Sequence, residues 1–240
     1  MTRFLVGHEA LSFSVFASHL RMTTKYGISN VRDQLIKNLR GAYPTEWEGY
    51  QAGEVLGEDV FGSPVPHPNA VLNLFTTQNV RFAIPFAAYR ASLGGFPALI
   101  SGEAGVVLPR HTLASIIHGR GEIQRVMTQA AIAIAFKECL PPTCLHKACA
   151  LNLGIKSMEQ RMEALSRIRD VMIGEREGGV LSTPTLGGLA CTGCTREVEE
   201  SHAAWRKACW ELLPAIFWSR SGGMKCNLLF AVVNLIVHWT

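Results

Sequence analysis

Leu20-Arg-Met-Thr-Thr-Lys25-Tyr26-Gly27-Ile-Ser-Asn-Val31-Arg32-Asp-Gln-Leu35-Ile36-Lys-Asn-Leu39, followed by Ala42-Tyr43-Pro44 and Trp47, is the stretch that decides the fold. Phe13, Phe16, Ala17 and Leu20 recur three and four positions apart, and so do Ile28, Val31, Leu35 and Leu39. That spacing places one apolar face on each of two short helices. Gly27 ends the first, because glycine adopts left-handed backbone without a Cβ penalty. Ser29 or Asn30 is placed to cap the second by accepting a hydrogen bond from an unpaired amide, and Pro44 prevents its continuation.

Outward from this pair, helical spacing persists. Residues 48–68 are rich in Gly, Glu and Pro, ending Ser63-Pro64-Val-Pro66-His-Pro68, and suit an exposed connection. Asn69 reads as the N-cap of a helix carrying Val71, Leu72, Leu74 and Phe75, and Pro85 suits the first turn of the next, with Phe86, Tyr89 and Arg90. Gly94, Gly95, Pro97, Gly102 and Gly105 give 94–107 loop character. A helical pair follows, with Leu113, Ile116 and Ile117 on the first member and Ile123, Val126, Met127, Ala130 and Ile134 on the second. His118-Gly119-Arg120-Gly121 reads as the turn between them, with only two glycines of a dinucleotide fingerprint and Gln124 at the third position. Ser157 and Gln160 have the form of a capping box before a helix through Met158, Met162, Leu165, Ile168 and Met172, closed by Gly174. The last helix carries Val198, His202, Trp205, Cys209, Leu212 and Ile216 as one stripe. No alternating strand pattern emerges, so the predicted fold is all-α, an irregular multi-helix array.

Composition narrows the function classes. The chain has 240 residues, enough for one or two domains with a substantial core. Charged residues are 18% of it, below the usual ~25%, which implies a surface less charged than usual and fits a chain missing a covering partner or segment, or equally one that contacts a membrane. The net charge is +4, but Lys and Arg are scattered singly or in pairs such as Arg206-Lys207, without the clustering and interleaved aromatics of specific nucleic-acid binding. Met1-Thr-Arg3-Phe-Leu-Val-Gly-His8-Glu9 does not read as a signal peptide, since His8 and Glu9 interrupt its apolar run, and no Asn-x-Ser/Thr sequon occurs. Seven cysteines, an odd number, suit a reducing intracellular setting, cytoplasm or nucleus. Asn227 to Val237 is too short for the ~20 residues of a spanning helix. It reads as a segment that packs on the helical body, or as a sticky end of high β-propensity.

Leu20-Arg21-Met22, Thr24-Lys25-Tyr26 and the Arg32-bearing second helix resemble the closing helices of the BTB/POZ domain, in the variant abundant in mushroom-forming fungi. Ala83-Ile84-Pro85-Phe86-Ala87-Ala88-Tyr89 is similar to the segment that follows that domain. Cys139, Cys144, Cys191-Thr-Gly-Cys194, His202, Arg206 and Trp210-Glu-Leu-Leu-Pro214-Ala-Ile-Phe217 are similar to the family's cysteine-bearing tail. The resemblance divides the chain into a C-terminal BTB/POZ remnant (1–47), a linker (48–68), a helical extension (69–217) and an atypical apolar tail (218–240). Most of the BTB core and its dimer interface has no counterpart, and a transcript would show whether either end reflects a misjoined gene. The resemblance implies an intracellular, non-enzymatic adaptor for other proteins, such as ubiquitin-ligase or transcription-complex components. It leaves self-association open.

The residues support no catalytic or cofactor assignment. His-Glu-x-x-His, Gly-x-Ser-x-Gly and phosphate-loop patterns do not occur, and Glu58-Asp59, Glu197, Glu199 and Glu200 read as loop or solvated-face charges. Cys191 and Cys194, with His202, Cys209, Cys139, Cys144 and Cys149, suggest structural zinc, because thiolates and imidazole suit tetrahedral Zn(II). Against it, no second pair completes the set, and His202 and Cys209 lie on the apolar stripe, where free cysteine packs as a small hydrophobe. A redox role for Cys191 and Cys194 has a helix N-terminus in its favour but lacks the strand–helix context. The leading expectation is therefore an interaction module without an assigned metal, with a zinc-stabilised helical module and a degenerate fragment as alternatives. Leu20, Tyr26, Trp205 and Trp210 are the expected packing residues.

Overall fold

The computed structural model describes residues 11–52, 61, 66–94, 99–100, 106–136 and 192–218, and among them the regular structure is entirely helical. The expected pair forms as α1 (Phe13–Lys25) and α2 (Ser29–Ala42), packed against each other. Phe16, Ala17 and Leu20 of α1 and Leu35 and Leu39 of α2 are buried, as the three-and-four spacing requires. Gly27 adopts φ +65°, and the Ile28 amide reaches back to the Thr23 carbonyl at 2.9 Å, closing α1 with a Schellman turn. Ile28 itself lies outside α2 and is exposed, so it does not join the Val31–Leu35–Leu39 face. The expected Ser29 or Asn30 cap also does not form. Ile28 occupies the N-cap, and the Ser29 amide is held instead by the Gly27 carbonyl at 3.0 Å. Tyr43, with φ −123° and ψ 72°, leaves the α region, which the following Pro44 disfavours for the residue before it.

The Gly- and Pro-rich segment after Pro44 is less open than its composition suggests. Helix α3 spans Trp47–Ala52, and Phe61 is fully buried with its ring edge-to-face on Phe13 and Phe16, at 5.3 and 5.2 Å. Aromatic burial here outweighs the loop propensity of the surrounding residues.

Next come α4 (Pro68–Thr77), a 3₁₀ turn (Arg81–Ala83) and α5 (Ile84–Ser92), which pack together. The N-cap of α4 is His67 rather than Asn69. Its Nδ1 accepts from the Asn69 amide at 3.3 Å, Pro68 takes the first helical position, and Asn69 is buried within the first turn. Asn79 (φ +55°) closes α4 by a second Schellman turn, in which the Val80 amide donates to the Phe75 carbonyl at 2.9 Å. Pro85 starts α5 as expected, and seven of its nine residues are buried.

Helices α6 (Arg110–Phe136) and α7 (Thr192–Trp218) are single helices of 27 residues each. The turn expected at His118–Gly121 is absent, and α6 runs through it. The reason lies in its buried positions: Thr112, Ile116, Gly119, Ile123 and Val126 are spaced four, three, four and three, one uninterrupted stripe with Gly119 at its centre. Burial of that stripe offsets the helix-breaking tendency of a Gly-x-Gly pair. A Cβ on Gly119 would overlap the Phe217 ring, so the glycine is what lets that ring approach. The expected helix at 157–174 and the tail at 218–240 lie outside the described residues, apart from Trp218 at the end of α7.

The chain divides into two compact units, Met1–Gly119 with Leu213–Trp218 and Arg120–Leu212 with Ser219–Thr240. In the first, residues from both sides of the 48–68 segment share one aromatic core. Tyr43 packs edge-to-face on Phe75 and Phe86 at 4.9 and 5.9 Å, and Tyr50 on Phe86 at 5.7 Å. In the second, Ile123, Val126, Cys209, Trp210 and Leu212 are buried, and Arg125 pairs with Glu122 at 2.8 Å.

Candidate functional site

Helix α1 carries two apolar stripes. The inner one, built on Phe16 and Leu20, is buried. The outer one consists of Val15 and Met22, with Tyr26 at the C-cap and the polar His19 set between them, spaced four, three and four in chain order, so these side chains share the opposite face. Met22 is 53% exposed and Tyr26 60%, with Val15 and Ile28 also open to solvent. An apolar residue in water is ordinary by itself, but a row of them on one helix face marks a surface built for contact. Tyr26 is thus not the packing residue its sequence context suggests, whereas Leu20 and Trp210 are. The Trp205 side chain lies outside the described residues.

Polar groups fix this face rather than cover it. His19 Nδ1 and the Ser18 hydroxyl bond to carbonyls one turn back, at 2.8 Å each, and the Thr24 hydroxyl donates to the Leu20 carbonyl at 2.7 Å. Lys25 Nζ lies over the Tyr26 ring, 5.2 Å from its centroid. Arg32 of α2 donates to the Gln78 carbonyl at 3.3 Å and to the Thr24 hydroxyl at 3.4 Å, tying α1 and α2 to the end of α4. Arg40 stacks over Phe82 with 5.0 Å to the centroid.

The cysteine constellation is only partly visible. Cys139, Cys144, Cys149 and Cys191 lie outside the described residues. Cys194 and His202 fall within α7, whose first helical residue is Thr192, and their side chains are likewise not described. Cys209 is a free thiol buried in the interior, and burial pushes its pKa upward, which keeps it protonated. A protonated thiol is a poor ligand and a poor nucleophile. Among the described residues no three His, Cys, Asp or Glu side chains gather as a metal site. Glu200 is exposed, as a solvated-face charge should be.

Tyr43 is the other perturbed group among the described residues. Burial in the aromatic core pushes its pKa from 10.0 to about 12, with Arg90 opposing the rise. Among the described residues no helix is long and apolar enough to cross a membrane. No family model matches the chain, and no curated protein and no solved structure shows significant similarity to it.

Proposed function

We propose that this chain is a non-enzymatic protein–protein interaction protein of the BTB/POZ type, acting inside the cell through the outer face of α1. The observation that carries the reading is that α1 is apolar on both sides, with one side buried by its own unit and the other exposed. Folding alone requires only the inner stripe. Met22 and Tyr26 belong to residue types enriched in protein interfaces, and exposing them is unfavourable unless a partner removes them from water. Among the described residues the two groups whose proton affinity shifts, Tyr43 and Cys209, are displaced chiefly by burial in packed interior, which suits structural roles. The sequence resemblance directs the search for partners to ubiquitin-ligase and transcription-complex proteins.

Quantitative mass spectrometry of proteins co-purifying with the full chain tests this, with Met22→Ser/Tyr26→Ser as the comparison. A reproducible set of proteins, depleted on the order of tenfold from the double variant, is the expected result. Identical recovery with both chains would remove α1 as the interaction face.

A further inference from the structure

We propose that the outer face of α1 receives an acidic amphipathic helix of another protein. This rests on the interaction reading above and names the chemistry of the partner. The charge on this face favours an acidic partner. Arg21 and Lys25 lie one helical turn apart along one edge of the Met22–Tyr26 stripe, both exposed, and α1 contains no acidic residue. Among the described residues, neither forms an ion pair within the chain. Across α1 and α2 the balance is five cations (Arg21, Lys25, Arg32, Lys37 and Arg40) against Asp33, a net of +4 that equals the charge of the whole chain. Lys25 carries this charge onto the stripe itself, because its ammonium stands over the Tyr26 ring.

The shape of the face favours a helix. The stripe is one side chain wide and runs the length of a 13-residue helix, the proportions of a seam between two helices. A partner helix with apolar residues at i, i+4 and i+7 would meet Val15, Met22 and Tyr26. Asp or Glu along one edge would meet Arg21 and Lys25. A membrane surface needs a broader apolar face than one stripe, and the opposite side of α1 is already buried against Phe61 and α2. A second copy of this chain would present the same basic edge, with no acid on α1 to pair with it.

The test is selection of displayed helical peptides on the immobilised full chain. Apolar residues are fixed at the three stripe-facing positions, and Glu, Gln and Lys are allowed equally at the flanking ones. Enrichment of Glu over Lys on the order of tenfold is expected, weakening with salt. It should vanish on Met22→Ser/Tyr26→Ser and reverse toward Lys on Arg21→Glu/Lys25→Glu. All four side chains are exposed, and an unchanged helical melt confirms that the variants fold. Stripe-dependent enrichment without preference for Glu overturns the acidic partner but leaves the interaction reading standing. So does stripe-dependent dimerisation in sedimentation, or stripe-dependent binding to phosphatidylserine vesicles in place of peptides. Absence of any stripe-dependent capture overturns both.

Discussion

Helices α1 and α4 end in the same way and in opposite surroundings. Each closes with a Schellman turn, Gly27 in one and Asn79 in the other taking the left-handed residue, and each places a β-branched apolar residue just beyond it. At α4 that residue, Val80, is buried. At α1 it is Ile28, which stands 46% exposed beside Tyr26. The hydrogen bonds of the turn are local and form wherever the chain permits them. The hydrophobic contact that usually accompanies the motif depends on what lies opposite. At α4, where the 3₁₀ turn and α5 pack against the helix, the residue beyond the turn is covered, whereas at the end of α1 it is left open. The difference distinguishes apolar residues that hold the fold from apolar residues that the fold leaves available.

Substitutions should separate the two classes by size of effect. Phe75→Ala, in the core between α4 and Tyr43, is expected to cost about 3–5 kcal/mol in denaturant unfolding, since it removes a fully buried ring. A smaller cost would mean that this interior is looser than its edge-to-face contacts imply. Alkali provides the next effect. Above pH 10 the unfolded chain releases the Tyr43 proton while the folded chain retains it to about 12, so stability is fully present below pH 10 and falls as pH rises through that window. Tyr43→Phe should flatten this limb of the profile, and an unchanged limb would assign it to other groups. Gly119→Ala should destabilise by about 1–3 kcal/mol through its collision with the Phe217 ring. Combining it with Phe217→Leu should cost less than the sum of the single changes, and strict additivity would contradict the close approach. The finest comparison is between the two turn residues. Val80→Ala should cost on the order of 1–2 kcal/mol and Ile28→Ala less than about 0.5, and equal losses would mean that both turn residues hold the fold alike.

Much of the architecture was legible in the sequence. The inner faces of α1 and α2 follow from three-and-four spacing, Gly27 as a terminator from its tolerance of positive φ, and Pro85 at the start of α5 from its missing N–H. The outer face was written in the same residues, because Val15, His19, Met22 and Tyr26 also recur at helical spacing. Tyr26 follows the helix and reads in sequence as a packing aromatic, which hides the stripe. Its angular position with Met22 was the available signal. Pro68 likewise marks His67 as the N-cap, a stronger cue than the side-chain preference that favours Asn69. The path of α6 through Gly119 was less accessible. Local propensity favours a turn there, and only the four-three-four-three stripe from Thr112 to Val126 reveals that tertiary burial overrides it. The overlap with Phe217, nearly a hundred positions away in the chain, is a tertiary fact with no local signature.

The outer stripe of α1 is uncovered in the folded chain, and hydroxyl-radical footprinting read by mass spectrometry can measure that exposure. Met22 and Tyr26 should be modified at rates close to those of the denatured chain, while Tyr89, fully buried in α5, is strongly protected. Protection of Met22 and Tyr26 to the level of Tyr89 would show that the chain covers this face itself, and the proposed interaction surface would be lost with it.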